Sequence, residues 1–122
     1  MQSDLKLKEY LFRRTADMCQ YHIYQTNADY RFLPWKEAKD RFTIDDYNKV
    51  YSGKCKTTST KDTDLLDYLY VAFNTSRPKD YTARSLSTSD VVEIRQNDVV
   101  KYYYCDIIGW KMIWTEPIKK EK

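Results

Sequence analysis

Apolar residues recur along this chain in two rhythms. Over residues 4–18, DLKLKEYLFRRTADM, Leu7, Tyr10, Leu11, Arg14 and Met18 fall on one side at helical spacing. Ser3 or Asp4 stands where the first N–H groups need a cap, so the pattern predicts a helix there. The rhythm then changes to a period of two. In YHIY at 21–24, Tyr21 and Ile23 face one way and His22 and Tyr24 the other, which predicts a strand ended by the Thr26-Asn27 turn signal. A second short strand is expected over 30–33. Pro34 then removes a donor and starts a helix through Trp35, Ala38 and Phe42.

Residues 43–47, TIDDY, predict a capped single turn leading into a strand over 49–54 that Gly53 stops. After the polar loop KTTSTKD comes the clearest helical pattern, residues 63–73, where Leu65, Leu66, Leu69, Tyr70 and Phe73 recur at i, i+3, i+4 spacing. Asp62, Asp64 and Asp67 suit the positive end of its dipole, and Asn74 suits a left-handed stop. Residues 75–90 form a long connection without glycine. A hairpin follows, with strands over 91–95 and 99–105 and a turn near Gln96-Asn97-Asp98; Gly109 permits a bend before a last strand over 110–114. Strands outnumber helices and do not alternate with them. The expected class is therefore α+β, a single domain with an antiparallel or mixed sheet of about four to six strands and two to three helices packed on it. Residues 1–19 are expected to be an N-terminal helical extension, 20–114 the folded domain and 115–122 a flexible basic tail.

Composition narrows the functions. The chain has 122 residues, enough for one core, with 42% hydrophobic and 16% aromatic residues, including twelve Tyr. Two isolated glycines, Gly53 and Gly109, exclude the glycine-rich loops that cradle phosphates, so no nucleotide cofactor is expected. The net charge of +3 is spread evenly, without the Lys/Arg stripe typical of nucleic-acid binders. The absence of a long apolar run predicts no membrane partner and a cytoplasmic location. Cys19, Cys55 and Cys105 are odd in number and lack metal-ligand spacing, which predicts reduced thiols and no metal site.

Candidate chemistry is sparse. Cys105 as nucleophile, His22 as base and Asp106 or Asp90 as orienter form the one catalytic arrangement available, but an apolar strand end favours an inert thiol. Asp62, Asp64 and Asp67 lack the Gly and terminal Glu of a calcium loop and read as helix caps. In Tyr102-Tyr103-Tyr104 at most Tyr102 and Tyr104 share a face, a pair suited to sheet packing more than to stacking bases. The unusual segment is 77–90, RPKDYTARSLSTSD. Its hydroxyls and Asp90 suit local satisfaction of backbone groups; alternatively Arg77, Tyr81 and Arg84 point outward to a partner. The candidate partner-binding residues are Arg77, Tyr81, Arg84, Ser85, Ser87, Asp90 and Trp110, with no catalytic, cofactor or metal residue among them.

The same segment carries a family resemblance. Phe73-Asn74, then Arg77-Pro78-Lys79-Asp80-Tyr81, then the run from Arg84 through Ser85-Leu86-Ser87-Thr88-Ser89-Asp90 to Val91-Val92, and Tyr103-Tyr104-Cys105-Asp106-Ile107-Ile108-Gly109-Trp110, together resemble the signature of the YodL-like domain. Tyr21–Tyr24 and Tyr47-Asn48-Lys49-Val50-Tyr51 match its weaker parts. Ala83 and Arg84 stand where a Gly-His pair is expected, so no role of that His transfers. The resemblance implies a small bacterial module, often carried by phages, plasmids and conjugative elements, with no enzymatic activity to carry over. It therefore implies a non-enzymatic accessory protein that binds and modulates a host protein, for example a defence nuclease, as an anti-CRISPR-type inhibitor, or a cell-shape protein. The alternative is a nucleic-acid-binding accessory protein using Lys36, Lys39, Arg41, Lys54 and Lys56 with exposed Tyr.

Overall fold

The computed structural model describes residues 18–56, 61–96 and 98–117, and the side chains of all of these but Met18, Cys55 and Lys56. Five strands form one sheet: β1 (Met18–Thr26), β2 (Tyr47–Lys56), β3 (Val91–Gln96), β4 (Val99–Cys105) and β5 (Trp110–Pro117). Their order is β2-β1-β3-β4-β5 and every neighbouring pair is antiparallel. Among the described residues two α-helices accompany them, α1 (Trp35–Ala38) and α2 (Asp62–Thr75), with a 3₁₀ turn at Ile44–Asp46. The described residues that take regular structure are thus mostly in the sheet.

Because β2 and β3 flank β1 on opposite sides, the connection between them must cross β1, and α2 makes that crossing. The period-two pattern sends Cys19, Tyr21 and Ile23 of β1, Val92 and Ile94 of β3 and Tyr103 of β4 to the face that α2 covers. Leu65, Leu66, Leu69 and Phe73 meet them from the helix, with Tyr81 and Leu86 from the loop that follows. Burying each large apolar side chain contributes about 2 kcal/mol, which ties helix to sheet.

The opposite face carries Tyr24, Val91, Tyr102 and Tyr104. One end of it is covered by the excursion between β1 and β2, which supplies Tyr30, Leu33, Trp35, Ala38 and Phe42. Here aromatic rings pack on one another, Trp35 lying 5.0 Å from Tyr104 and 5.3 Å from Phe42 between centroids.

Several expectations change. The helix expected over 4–18 lies outside the described residues except for Met18, which opens β1. Residues 30–33 are not a strand: Arg31 N–H bonds Ala28 O, Leu33 N–H bonds Tyr30 O, and Phe32 is left-handed at φ 70°. Two successive turns there aim the Tyr30 ring inward, where its hydroxyl donates to Asp46 Oδ2. The Pro34 helix starts as expected but spans only four residues; Phe42 packs from beyond it.

Thr43 does cap the 3₁₀ turn, its hydroxyl accepting from Asp45 N–H. Gly53 does not stop β2. It pairs with Tyr21, whose ring lies across the space a Cβ would fill, so the glycine admits a cross-strand aromatic. Asn74 does not end α2, which runs to Thr75; its amide instead donates to Leu86 O and fastens the next loop to the helix. Gly109 takes φ 74° in the turn before β5, and β5 extends through Pro117, beyond the end expected at 114.

Candidate functional site

The connection after α2 has no regular structure, and a short sequence motif explains how it stays fixed. Ser87-Thr88-Ser89-Asp90 is a tight turn closed by Asp90 N–H on Ser87 O, with a positive φ of 83° at Ser89 alone, the pattern of a type II turn. That geometry favours glycine, and serine tolerates it here because every polar atom of Ser89 is held. Its N–H donates to Cys105 O, its carbonyl accepts the Tyr47 hydroxyl at 2.6 Å, and its Oγ accepts Phe32 N–H at 2.9 Å.

Asp90 is the centre of the segment. Its side chain is fully buried and accepts from Arg84 Nη1 at 2.9 Å, Ser87 N–H at 2.8 Å and Gln25 Nε2 at 3.0 Å. Burial raises its pKa, against the opposing pull of Arg84 and the other donors. Arg84 extends the network to Thr26 O and lies over the Phe32 ring. Gln25 also donates to Arg84 O, and the Tyr81 hydroxyl donates to the same carbonyl.

The expectation that Tyr81 points outward is therefore corrected: it is a core side chain packed edge-on against Phe73 and Tyr51. Arg84 is half-buried and turned inward to Asp90. Asp90 itself is inaccessible, while Ser85 and Ser87 are half-buried and joined by Ser87 Oγ on Ser85 O. Arg77 is exposed. Trp110 is half-buried against the core on the α2 side, remote from the loop in sequence but part of the same cluster. The structure thus joins Tyr81, Arg84, Ser85, Ser87 and Asp90 into one unit. Gln25, Thr26, Phe32, Tyr47 and Ser89 complete it; a period-two reading of β1 stops before Gln25, and although Ser89 lies in the signature run, nothing local shows that these residues meet.

The catalytic arrangement around Cys105 is not assembled. His22 on β1 is level with Glu93 and Tyr102, three residues short of Cys105 on a strand two places away. Cys105 is buried, its thiol directed at Asp106 O and pushed up to about 12 by desolvation. His22 meets a group that sequence reading did not single out. Its Nδ1 shares a 2.6 Å hydrogen bond with Ser52 Oγ, and its Nε2 is 4.0 Å from Glu93 Oε2. Glu93 is only 2% exposed and accepts from Tyr24 OH at 2.6 Å and Arg95 Nη1 at 2.8 Å. Burial lowers the His22 pKa in spite of Glu93, so the imidazole is neutral at pH 7. A neutral imidazole on a serine has the components of a base and nucleophile. The carboxylate, however, is held by other donors, and Ser52 lies exposed on the outer strand.

Exposed apolar groups gather elsewhere, around β5. Trp35, Phe42, Thr43, Ile44, Tyr102, Ile113, Trp114 and Glu116 line a groove of about 480 Å³ between the β1–β2 excursion and the end of the sheet. Ile113 is the extra residue of a bulge, inserted between the pairs Tyr102–Trp114 and Tyr103–Met112, which turns both Ile113 and Trp114 toward the groove. Trp114 is 59% exposed, and Ile108 in the preceding turn is 91% exposed. Such a patch on an edge strand is unusual for a surface without a contact role. The basic residues do not form a comparable feature. Lys36, Lys39 and Lys54 are exposed, Arg41 is paired with Asp29 at 3.0 Å, and Lys56 lies among the undescribed side chains. Among the described residues, no helix is long and apolar enough to cross a membrane.

No curated protein and no solved structure matches the chain. The model of the YodL-like domain matches residues 19–115, from the first residues of β1 almost to the end of β5. The match takes in all five strands and the Asp90 turn together, and the chain belongs to the YodL-like domain family.

Proposed function

We propose that this chain is a non-enzymatic accessory protein that acts by binding a host protein, as the family resemblance implies for modules carried by mobile elements. One contrast supports that reading. Arg84, Ser87 and Asp90 of the signature segment are engaged with one another inside the fold, whereas large apolar side chains, Ile44, Ile107, Ile108, Met112 and Trp114, stand exposed near one edge of the sheet. Binding energy in protein interfaces concentrates in such aromatic and aliphatic anchors, Trp above all. The contact surface in this proposal is therefore the Trp114 groove and the Ile107-Ile108 turn, while Arg77, Lys79, Asp80 and Thr82 are the exposed residues of the signature segment.

The test is capture of a partner from a host lysate on the tagged protein. Trp114→Asp with Ile108→Asp should remove the captured protein while leaving the thermal transition intact. Undiminished capture by that variant refutes the surface, and recovery of background alone refutes the reading.

A further inference from the structure

The two edges of the described sheet are not alike. β2 exposes Lys49 and Lys54 and has no acidic residue in its length, the kind of lysine-guarded edge that resists a further strand. β5 exposes Met112 and Trp114, at 48% and 59%. They stand between one cation, Lys111, and one anion, Glu116, both exposed as well.

The bulge decides which strand such an edge accepts. Trp110 and Met112 are level with Cys105 and Tyr103, and Thr115 with Lys101, whose Nζ reaches Asp62 at the start of α2; these three lie on the α2 face. Lys111 and Glu116 are level with Tyr104 and Val100 and, with Ile113 and Trp114, lie on the groove face. From 110 to 116 the faces alternate except at Ile113-Trp114, where two successive residues share one. A regular strand laid along β5 therefore matches its faces on one side of that break and not on the other. Only a strand with the same break matches throughout, and the order of faces in β5 reads the same in both directions from the Ile113-Trp114 bond.

A second copy of the chain, turned antiparallel, meets that condition. Laid with Ile113 opposite Trp114, it brings Met112 opposite Thr115 on the α2 face and Lys111 opposite Glu116 on the groove face, once on each side of the centre. Directly opposed side chains interact most, so this register sets unlike charges together twice and an aliphatic side chain against an aromatic one twice. A slip of one residue opposes Met112 to Trp114 or to Glu116, side chains on different faces of the sheet.

We propose that two copies of this chain pair through β5 in this register, joining two five-stranded sheets into one about a two-fold axis. The pairing does not rest on the host-protein reading above, although both use Trp114.

Sedimentation equilibrium of the purified chain, from low micromolar to near-millimolar concentration, tests it. The unaltered chain should pass from monomer to dimer and stop there. Lys111→Glu alone, or Glu116→Lys alone, should weaken the dimer on the order of tenfold, because like charges then oppose each other twice. Mixing the two single variants should restore a dimer, now of one copy of each, in which every opposed pair is again of unlike charge. A chain carrying both substitutions should dimerise as the unaltered chain does. Thermal unfolding of each variant confirms that it folds, and both positions are exposed. A monomer at every concentration overturns the proposal, leaving the edge to an occupant of another kind. Growth beyond a dimer, or a dimer indifferent to both single substitutions and to their mixing, overturns it as well by placing the contact elsewhere. No host lysate enters these measurements, so self-pairing and capture of a host protein fail separately.

Discussion

Replacing Asp90 with alanine takes one buried acceptor away from three donors at once. Ser87 N–H and Gln25 Nε2 lose a partner in the interior, and the Arg84 guanidinium loses its counter-charge while its side chain stays 29% exposed. Breaking one side of a buried pair costs about 3–5 kcal/mol, and a buried neutral donor left unpaired costs about 1–3 kcal/mol. Arg84 can turn partly to water, so the expected loss is about 4 kcal/mol, against a total of about 5–15 kcal/mol for a domain of this kind. Urea denaturation reads this as a midpoint lowered by about 2 M, for a slope of about 2 kcal/mol/M.

A companion variant separates the pair from the turn. Arg84→Met leaves the carboxylate buried without its cation. Burial already holds the folded pKa of Asp90 above its ordinary value, so protonation favours the folded state, and stability is fully present below the unfolded pKa and lost as pH rises through the folded one. The deficit of Arg84→Met should therefore shrink as pH falls from about 7 toward about 4. A midpoint for Asp90→Ala within about 0.3 M of the unaltered chain, at equal slope, refutes the hub.

Other expectations follow from single features. Gly53→Ala forces a Cβ to within 2.9 Å of Tyr21 Cε1 and closer still to Cζ, and should cost about 2 kcal/mol in thermal or urea unfolding. Gly109→Ala meets no neighbour, and at φ 74° should cost about 1 kcal/mol from backbone strain alone. In a Cys55→Ser background, Cys19 and Cys105 should resist Ellman's reagent at pH 8 until denaturant is added, since both are buried and the Cys105 thiol is pushed up to about 12. His22, whose folded pKa burial lowers below the ordinary imidazole value, contributes stability that is present above the unfolded pKa and lost as pH falls through the folded one. Thermal midpoints of the unaltered chain should therefore drop more than those of His22→Asn between pH 7 and pH 5.

What the sequence revealed and what it hid divide along physical lines. The alternation in YHIY placed Tyr21 and His22 on the correct faces because a strand's side-chain period is local. Leucine spacing marked α2 for the same reason. Gly53 misled because its effect depends on the residue opposite, Tyr21, thirty-two positions earlier. Asn74 misled because its amide had a distant carbonyl, Leu86 O, to serve. The signature segment was recognisable as unusual, but the direction of Tyr81 and Arg84 depends on Gln25, Thr26 and Phe32 approaching from β1 and its turn, contacts more than fifty residues away in sequence. The groove escaped for a related reason: the bulge that brings Ile113 and Trp114 to one side breaks the alternation on which a strand is read.

The strand order has a consequence for synthesis on the ribosome. β1 emerges first yet ends in the interior of the sheet, bonded to β2 on one side and to β3 on the other. Tyr21 waits for Ile94, so of the sheet a nascent chain has only the β1–β2 hairpin, with α2, until β3 clears the exit tunnel. Translation halted before that point leaves Ile23 and its neighbours without their second partner strand, and makes the truncated product a ready substrate for cellular proteases.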